Sequence, residues 1–207
     1  MMVDVLKIFL SVVSLSVMTN TAIAQDLKTF IVAGGCFWCV ESDFDTVPGV
    51  VETISGYTGG TLDDPTYRKV TAGGTGHLEA VQITYDPSKV SYEDLLTAFW
   101  SSVDPTDPGG QFCDRGESYQ TAIFVADDVE RQLAEASKKE AMETLGKDIV
   151  TPIKDTGRFF PAEDYHQDYY QNNPIRYRYY RLSCGRNQRV QEVWGDRAYE
   201  GIPKHGS

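Results

Sequence analysis

One segment decides the fold of this chain: FIVAGGCFWC, at residues 30–39. Its apolar first half predicts a buried strand over residues 29–33. The two glycines that follow permit a sharp turn and let other atoms approach the backbone closely. From Cys36 onward, apolar residues recur every three or four positions, which predicts a helix to about residue 46. The segment therefore reads as a buried strand, a tight turn and a helix that begins at a cysteine.

Two thiols stand at CxxC spacing in this segment. A cysteine at a helix N-terminus faces unpaired N–H groups and the positive end of the helix dipole, so we expect Cys36 to favour the nucleophilic thiolate. Cys39, three residues later, is predicted to lie within disulfide reach of Cys36. The alternative is that both are small residues buried beneath a strand–helix joint. Two cysteines, two aromatics and two glycines in six positions favour chemistry over packing.

The composition limits the classes of function. The chain has 207 residues, of which 41% are hydrophobic and 24% charged, which suffices for one globular core. Its formal net charge of −11 argues against nucleic acid or an anionic membrane as a partner. Four cysteines are too few for a disulfide scaffold in a chain of this length, so each thiol is a candidate for chemistry.

The first residues resemble an export signal. Lys7 precedes an apolar run at residues 8–18, and the small-residue sequence Ala-Ile-Ala ends at residue 24. The run is too short to span a bilayer comfortably, although an uncleaved anchor or a disordered extension are alternatives. We predict a secretory signal peptide at residues 1–24, a single catalytic domain at residues 25–207, and a periplasmic or secreted location. Such compartments are oxidising, so thiols there end as disulfides unless a reductant is delivered.

A predicted strand at residues 77–85 carries a candidate acid. Glu79 falls on the same face as Val81, Ile83 and Tyr85 by strand periodicity. Desolvation in this apolar row would raise the pKa of Glu79 and favour the protonated acid. The alternatives are that the row turns to solvent at Glu79 or that a base pairs with it.

The rest of the chain alternates strands and helices. Ser91 is a predicted N-cap with Asp94 as its capping-box partner, and Asp127 and Gly146 are predicted to bound a charged helix. His166 is interpreted as a hydrogen-bonded structural residue. Further predictions are strands at residues 50–57, 119–126 and 149–153, a salt-bridged packing segment at 176–181, a short helix at 188–194 and a loose tail from residue 197. This pattern indicates an α+β fold.

A series of motifs gives the chain a family resemblance. They are GCFWC at 35–39, GYTGG at 56–60, PTY at 65–67, TGHLEAV at 75–81, YDP at 85–87, FW at 99–100, DP at 104–105 and YHQ at 165–167. Together and in this order, they resemble the A-type peptide methionine sulfoxide reductases over about residues 28–195. We accordingly predict a compact two-layer α/β sandwich with a mixed sheet and a ferredoxin-like core.

The resemblance implies a role for each candidate residue. Cys36 would attack the sulfur of an S-epimer methionine sulfoxide, and Glu79 would protonate its oxygen. Tyr67 and Tyr119, which follow glycine-containing loops, would donate hydrogen bonds. Cys36 would be left as a sulfenic acid that a second thiol converts to a disulfide. The remaining implied residues are Phe37 and Trp38, which would hold the S-methyl group, and Asp114, on the polar side of the site.

The resemblance also implies the partners. Substrates would be oxidised proteins and free methionine sulfoxide, and an external thioredoxin-like dithiol would recycle the enzyme. No bound cofactor or metal is expected, since a zinc site would need Cys113 and Cys184 to converge on the CxxC pair. Scattered histidines, with none paired to the CxxC motif, weaken a cysteine-protease interpretation.

The resolving thiol departs from the family pattern, because many members carry glycine at the position of Cys39 and use C-terminal cysteines. Cys39 is our first choice and Cys184 the second, since a helical turn keeps Cys39 close to Cys36. Cys113 and Cys184 would then form a structural disulfide or a relay. Two other functions remain open: a thioredoxin-type dithiol oxidoreductase, and an exported binding domain with its four cysteines in two bridges.

Overall fold

The computed structural model describes residues 26–203. Its strands are β1 (Lys28–Gly34), β2 (Val50–Thr58), β3 (Leu78–Tyr85), β4 (Gly110–Gln111), β5 (Asp114–Arg115), β6 (Thr121–Val125), β7 (Ile153–Asp155) and β8 (Phe160–Pro161). Its α-helices are α1 (Phe37–Phe44), α2 (Tyr67–Thr71), α3 (Tyr92–Trp100), α4 (Asp128–Leu145), α5 (Tyr169–Asn172), α6 (Pro174–Ser183) and α7 (Arg186–Trp194). Single 3-10 turns lie at Glu117–Tyr119, Asp164–His166 and Gly195–Arg197.

The main sheet has six strands in the order β7-β6-β1-β3-β2-β8. Its four central strands, in the order β6-β1-β3-β2, pair antiparallel and follow the chain order β-α-β-β-α-β. This is the ferredoxin-like arrangement. β7 pairs parallel to β6, which makes the sheet mixed. The predicted α+β class, mixed sheet and ferredoxin-like core are confirmed.

Strand β1 lies at the centre of the sheet and leads directly into the site. Its last five residues are buried, because β3 and β6 pair on its two edges and side chains cover both faces. A Cβ added to Gly34 would stand 2.8 Å from the Cγ2 of Val40, and one added to Gly35 would stand 2.5 Å from the Cβ of Gln111. Gly35 also has a φ of +81°, which side chains rarely adopt. Gly34 is therefore required to bring α1 so close to the strand, and Gly35 is required for the turn and for its close approach to β4.

Helices cover one face of the sheet and form the main core. Phe30 and Val32 of β1 pack there with Leu95, Phe99 and other residues of α1, α3 and α4. A smaller cluster on the opposite face includes Ile31 and Phe124. The resulting two-layer packing leaves the carboxyl end of β1 and the start of α1 at one end of the molecule.

The predicted helix boundaries on this face are confirmed. Ser91 accepts from the N–H of Asp94 at 3.1 Å, and the Asp94 carboxylate accepts from the N–H of Ser91 at 3.1 Å, completing a capping box. Asp127 caps α4, and Gly146 ends it in the left-handed region with a φ of +60°.

Two strand predictions are wrong in position. The predicted strand at 149–153 begins only at Ile153, because Pro152 has no N–H for a ladder and parallel pairing with β6 starts beyond it. The predicted strand at 119–126 begins at Thr121, since Tyr119 ends a 3-10 turn.

The C-terminal predictions also need correction. Residues 176–181, predicted as a salt-bridged packing segment, belong to helix α6, which begins at Pro174, a residue well suited to a first helical position. The ion pair of the buried Arg181 with Asp43 and the burial of Tyr177 agree with the predicted role. The tail from residue 197 is not loose over its described part, because Tyr199 and Ile202 are buried in the core. The N–H of Tyr199 donates to the carbonyl oxygen of Ser101 at 2.9 Å.

The predicted signal peptide at residues 1–24 lies outside the described residues, and the domain limits of 25–207 stay a prediction. Between residues 26 and 203, the structure contains no helix that is both long enough and apolar enough to cross a membrane.

Candidate active site

A pocket at the carboxyl end of β1 brings together the residues that the sequence singled out. It draws them from the start of α1, the first turn of α2, β3, β5, the 3-10 turn before β6, and α6. Its lining residues are Cys36, Phe37, Trp38, Tyr67, Glu79, Asp114, Tyr119 and Tyr180. Every predicted catalytic and substrate-binding residue is present, and Tyr180 is an addition.

Cys36 is the N-cap of α1, yet its environment differs from the expected one. The first helical N–H, that of Phe37, donates to Oε2 of Glu79 at 3.1 Å instead of facing the cysteine. Burial, the neighbouring Cys39 thiol and the carboxyls of Glu79 and Asp114 raise the pKa of Cys36 well above its ordinary value. These groups oppose the thiolate that a helix N-terminus favours, so the structure does not support the expected thiolate form of Cys36 in the resting site.

Glu79 is buried in the apolar row that strand alternation predicted, and only 1% of it is exposed. Burial raises its pKa to about 8, and Asp114 acts in the same direction against the opposing N–H of Phe37. Its Oε1 has no hydrogen-bond partner among the described residues. Glu79 is therefore a neutral acid at pH 7, as predicted, and it has a free oxygen.

Two tyrosines complete the polar side of the pocket. Burial and the nearby Glu79 carboxyl raise the pKa values of Tyr67 and Tyr119, so both hydroxyls remain donors at neutral pH. Tyr67 is anchored by its N–H, which donates to Oε1 of Glu163 at 3.0 Å. Tyr119 follows Gly116, whose φ of +119° permits the turn that brings the tyrosine back over the sheet.

Aromatic rings form the apolar side. Trp38 stacks on Tyr169 with ring centroids 3.7 Å apart, and its Nε1–H donates to Nδ1 of His166 at 3.0 Å. These contacts fix a half-buried indole beside Cys36, while the Phe37 ring is almost fully buried next to it. The prediction of a hydrogen-bonded structural role for His166 is confirmed, and that role is to hold Trp38.

Tyr180 is the site residue that sequence reasoning missed. Its hydroxyl donates to Oδ2 of Asp114, and its ring meets Trp38 edge-on at 5.8 Å. Tyr180 thereby links the polar wall of the pocket to the aromatic wall. Its position one helical turn before Cys184, a candidate resolving cysteine, could have indicated a place in the site. The alternation of arginine and tyrosine at residues 176–181 instead led to the prediction of a packing segment.

The four cysteines form two different pairs. Cys36 and Cys39 are free and buried in one small cluster with Tyr177. Cys113 and Cys184 form a disulfide across 71 residues, with Cα atoms 4.9 Å apart. The sequence left the pairing of Cys113 open, with this disulfide as one possibility, and the structure forms it. The Cys184 sulfur lies 3.8 Å from Oδ2 of Asp114, so this bridge adjoins the polar wall of the pocket.

The disulfide also bears on metal binding. Cys113, Asp114 and Cys184 place their ligand-type atoms within 4.8 Å of one another. The two sulfurs are bonded together, however, and a metal ligand has to be a thiolate. Bonded to each other, these two cysteines have no thiolates to contribute to a four-ligand zinc site with the CxxC pair.

The pocket suits one kind of reaction. It offers a thiol, a neutral carboxylic acid and two hydroxyl donors on one side, with fixed aromatic rings on the other. A neutral electrophile with a polar oxygen and a small apolar group would match both sides. The donors would stabilise the oxygen as it gains charge, while the sulfur attacks the adjacent atom.

Comparisons with known sequences agree with this chemistry. The family profile described as peptide methionine sulfoxide reductase matches residues 28–198. Peptide methionine sulfoxide reductase MsrA 2 of Rhizobium meliloti is 53% identical over 179 residues, which cover 86% of this chain and 89% of the relative. Peptide methionine sulfoxide reductase MsrA of Bacillus licheniformis is also 53% identical, over 173 residues covering 83% and 94%.

Solved structures share the fold. Methionine sulfoxide reductase A of Corynebacterium diphtheriae superposes with a TM-score of 0.65 at 33% identity, covering 72% of this chain and 76% of that one. Mxr1 of Saccharomyces cerevisiae in its reduced form gives a TM-score of 0.67 at 30% identity, covering 72% and 86%.

Proposed function

The chain belongs to the peptide methionine sulfoxide reductase family and is a peptide-methionine (S)-S-oxide reductase, and from this premise we propose how its own residues carry the reaction. Cys36 is the nucleophile and Glu79 the general acid. One observation carries the proposal: a buried thiol, a neutral acid and two hydroxyl donors from distant parts of the chain meet in one pocket with an aromatic wall.

The reductive step proceeds at the sulfoxide sulfur. The sulfur of Cys36 attacks it while the proton of Glu79 passes to the sulfoxide oxygen, and Tyr67 and Tyr119 donate hydrogen bonds to that oxygen. The thiol proton of Cys36 passes to the neighbouring Cys39 as the sulfur attacks. The transient bond between the Cys36 and substrate sulfurs then breaks together with the sulfur–oxygen bond, the hydroxyl moves to the Cys36 sulfur as a sulfenic acid, and methionine leaves. The carboxyl of Glu79 suits this role because its raised pKa of about 8 keeps the proton available at neutral pH.

Substrate orientation follows from the two walls. We assign the S-methyl group to Trp38 and Phe37, and the polar side of the substrate to Asp114 and the tyrosines. The Trp38 indole is fixed by Tyr169 and His166, so it presents a rigid apolar surface beside the nucleophile. A rigid two-sided pocket of this kind distinguishes the epimers, because exchanging oxygen and methyl would set the oxygen against the indole.

Resolution of the sulfenic acid is assigned to Cys39. It is buried in the same cluster as Cys36, and the spacing of one helical turn brings its Cα within the usual disulfide range. Cys184 is already bonded to Cys113, which leaves it no free thiol for the first attack. The Cys113–Cys184 bridge would then serve as a structural link or as a later relay.

The partners are proposed on the same basis. Substrates are oxidised proteins and free methionine sulfoxide, and a thioredoxin-like dithiol supplies the electrons in repair. We also propose export after cleavage behind residue 24, which would place the chain in the periplasm or outside the cell. The intact mass of the protein recovered from that compartment tests this, because an uncleaved chain there would contradict it.

The activity is tested with separated substrates. The mature protein is incubated with the S and R epimers of a methionine sulfoxide peptide and a small dithiol, and methionine formation is followed. We expect reduction of the S epimer, with no turnover by Cys36→Ser. Turnover by Cys36→Ser at the wild-type rate, or equal rates on both epimers, would contradict the assignment.

A further inference from the structure

A charged cluster lies buried beside the CxxC pair and is unbalanced. Nη2 of Arg181, on α6, stands 2.9 and 3.1 Å from the two carboxylate oxygens of Asp43, on α1. Nε of Arg186, at the start of α7, lies 3.9 Å from Oδ2 of the same carboxylate. Exposure of these three side chains is 2% or less. Two guanidinium groups therefore share one carboxylate, which leaves a formal charge of +1.

The other contacts of the cluster are neutral. Arg186 donates to the carbonyl oxygens of Gly34 and Ser102, each at 3.0 Å, and stacks over the ring of Phe112 at 4.7 Å. Its Nε has no hydrogen-bond partner among residues 26–203. Arg181 has neutral partners too, namely the hydroxyls of Tyr177 and Tyr199, the side-chain oxygen of Asn187 and the carbonyl oxygen of Cys39. A buried charge without compensation is strongly unfavourable, so an anion is to be expected nearby.

Cys39 is placed to supply that anion. Its carbonyl oxygen lies 3.4 Å from Nη1 of Arg181, and its thiol is buried in the cluster that includes Cys36 and Tyr177. We propose that Cys39 rests as a thiolate, the counter-ion of the Arg181–Arg186 pair, while Cys36 keeps the proton that the two sulfurs share. The arginines are positioning residues, since they act on the reacting sulfur through Cys39.

The charges around Cys39 support this distribution. Burial alone would raise its pKa, but donation from the Cys36 thiol and the charges of Arg181 and Arg186 bring it down to about 7, with Asp43 opposing. The titratable and charged groups that face it are Cys36 and Asp43 on α1, Glu79 on β3, Tyr177, Tyr180 and Arg181 on α6, and Arg186 on α7.

Asp114 is the competing counter-ion, because it also feels the charge of Arg186. Its Oδ2 is bound by the hydroxyl of Tyr180, and burial raises its pKa above the ordinary value. That carboxyl lies on the polar wall of the pocket, whereas the Cys39 side chain packs with Tyr177, whose hydroxyl accepts from Nη1 of Arg181 at 2.9 Å. Cys39 is therefore the better placed of the two.

The inference deepens the proposed function and rests on it for its mechanistic meaning. When Cys36 attacks the sulfoxide, its proton passes to the Cys39 thiolate, and the proton of Glu79 goes to the oxygen. The products are methionine, a Cys36 sulfenic acid, a Cys39 thiol and a Glu79 carboxylate. Cys39 then attacks the Cys36 sulfur, the sulfur–oxygen bond breaks, and hydroxide leaves with the Cys39 proton as water. The net negative charge moves from Cys39 to Glu79, and no outside proton is needed.

The resting charge is measured without substrate. In Cys36→Ser with the Cys113–Cys184 bridge intact, Cys39 is the only free thiol of the four cysteines, and serine keeps a hydroxyl donor beside it. Ultraviolet absorbance of the thiolate is followed against pH. We expect a midpoint near 7, at least one pH unit below the ordinary cysteine value of about 8.5. A midpoint of 8.5 or above would overturn the proposal, whether or not the enzyme reduces sulfoxides.

Charge variants in the same background identify the source of the effect. Arg186→Gln should raise the Cys39 midpoint by about one pH unit, and Asp43→Asn should lower it, since each changes the cluster by one charge in opposite directions. Arg189→Gln is the matched control, because Arg189 lies on the same helix but pairs with Asp104 at 2.8 Å and is 45% exposed.

Unfolding midpoints and the mass of the bridged form verify that each charge variant is folded. An unchanged Cys39 midpoint in folded Arg186→Gln, or a midpoint that rises in Asp43→Asn, overturns the role of the cluster. If Arg186→Gln does not fold, the direction seen in Asp43→Asn decides.

Discussion

The two cysteine pairs of this chain lie side by side and differ in almost every physical respect. Cys36 and Cys39 are three residues apart, buried and free, within a single helical turn. Cys113 and Cys184 are 71 residues apart, joined by a disulfide, and Cys113 is exposed. Asp114 and Tyr180, which line the pocket, lie between the two pairs.

This difference assigns the reaction with the sulfoxide to the buried pair and contact with a protein reductant to the exposed pair. A thiol buried among aromatic rings meets a small sulfoxide group that enters the pocket, but a folded reductant cannot approach it directly. An exposed sulfur is accessible to a protein dithiol, yet neither Cys113 nor Cys184 lines the pocket that holds Glu79 and the tyrosine donors. The inner pair should therefore determine the first turnover, and the outer pair should affect stability or recycling.

The strongest way to break this comparison is to remove the inner resolving thiol. Cys39→Ser should release a single equivalent of methionine and then stall, because resolution follows the reductive step. With a thioredoxin-like reductant, steady turnover should fall by at least about 10²-fold, since the sulfenic acid has no neighbouring thiol. Methionine release over time, with limiting and excess sulfoxide, measures both quantities.

Peptide mapping after one turnover of the wild type supplies the control. We expect Cys36–Cys39 as the new bridge, with Cys113–Cys184 unchanged, and Cys184→Ser should still form Cys36–Cys39. A dominant Cys36–Cys184 bridge in the wild type would reject Cys39 as the first resolver. It would move the recycling path to the C-terminal helices.

The general acid gives the next largest effect. Glu79→Gln keeps the shape of the side chain and an acceptor for the N–H of Phe37, but it removes the proton that the sulfoxide oxygen needs. We expect the single-turnover rate to fall by about 10²–10⁴-fold, the usual contribution of general acid catalysis. Rapid-quench measurement of methionine release, with wild-type binding checked separately, reports the chemical step.

A merely structural glutamate would behave differently. Glu79→Asp retains an acid but shortens the reach, so it should recover part of the lost rate, whereas Glu79→Gln should not. Equal single-turnover rates in the wild type and Glu79→Gln would show that the buried acid takes no part in the chemistry.

The parts of the fold that the sequence predicted are those encoded by local patterns. The apolar run and the two glycines of residues 30–39 determine β1, the turn and α1, and strand alternation located Glu79 in the apolar row. The capping box at Ser91 and the end of α4 at Gly146 are likewise determined by a few adjacent residues. Each depends on contacts within one turn or one strand.

The missed features depend on distant partners. Helix α6 buries Arg181, and its counter-ion Asp43 lies 138 residues earlier, so no periodic apolar stripe reveals the helix. The thiol form of Cys36 was missed for a similar reason, because the helix N–H expected to face it is taken by Glu79 from β3. Tyr180 enters the site only once α6 is in place.

The outer bridge offers a test on stability. Replacing both of its cysteines, as Cys113→Ser with Cys184→Ser, should lower the free energy of unfolding by about 3 kcal/mol, because the bridge closes a long loop in the unfolded chain. The single-turnover yield of methionine should not change. Denaturant unfolding measures the first quantity, and the dithiol-reduced wild type is the control. An unchanged midpoint would mean that the bridge serves recycling alone.

The last predicted effect concerns the free energy of unfolding that is lost when the buried carboxyl of Glu79 ionises. Burial raises the folded pKa of Glu79 from 4.5 to about 8, so between these values the folded chain keeps a proton that the unfolded chain has lost. The native state then binds more protons, and the free energy of unfolding must fall as pH rises through this window. Glu79→Gln cannot ionise and should escape that loss.

We therefore expect Glu79→Gln to be more stable than the wild type above pH 8, and to lose this advantage near pH 4.5. Glu41 provides the matched control, because burial also raises its pKa to about 8, and its Oε2 has no hydrogen-bond partner among the described residues. Glu41→Gln should gain stability over the same window and keep its activity, since Glu41 does not line the pocket. Urea unfolding at several pH values, beside single-turnover rates, distinguishes the two glutamates. If Glu79→Gln is no more stable than the wild type at high pH, the Glu79 carboxyl of the wild type is not desolvated in solution. The inner pair would then lack the buried acid that distinguishes it from the outer bridge.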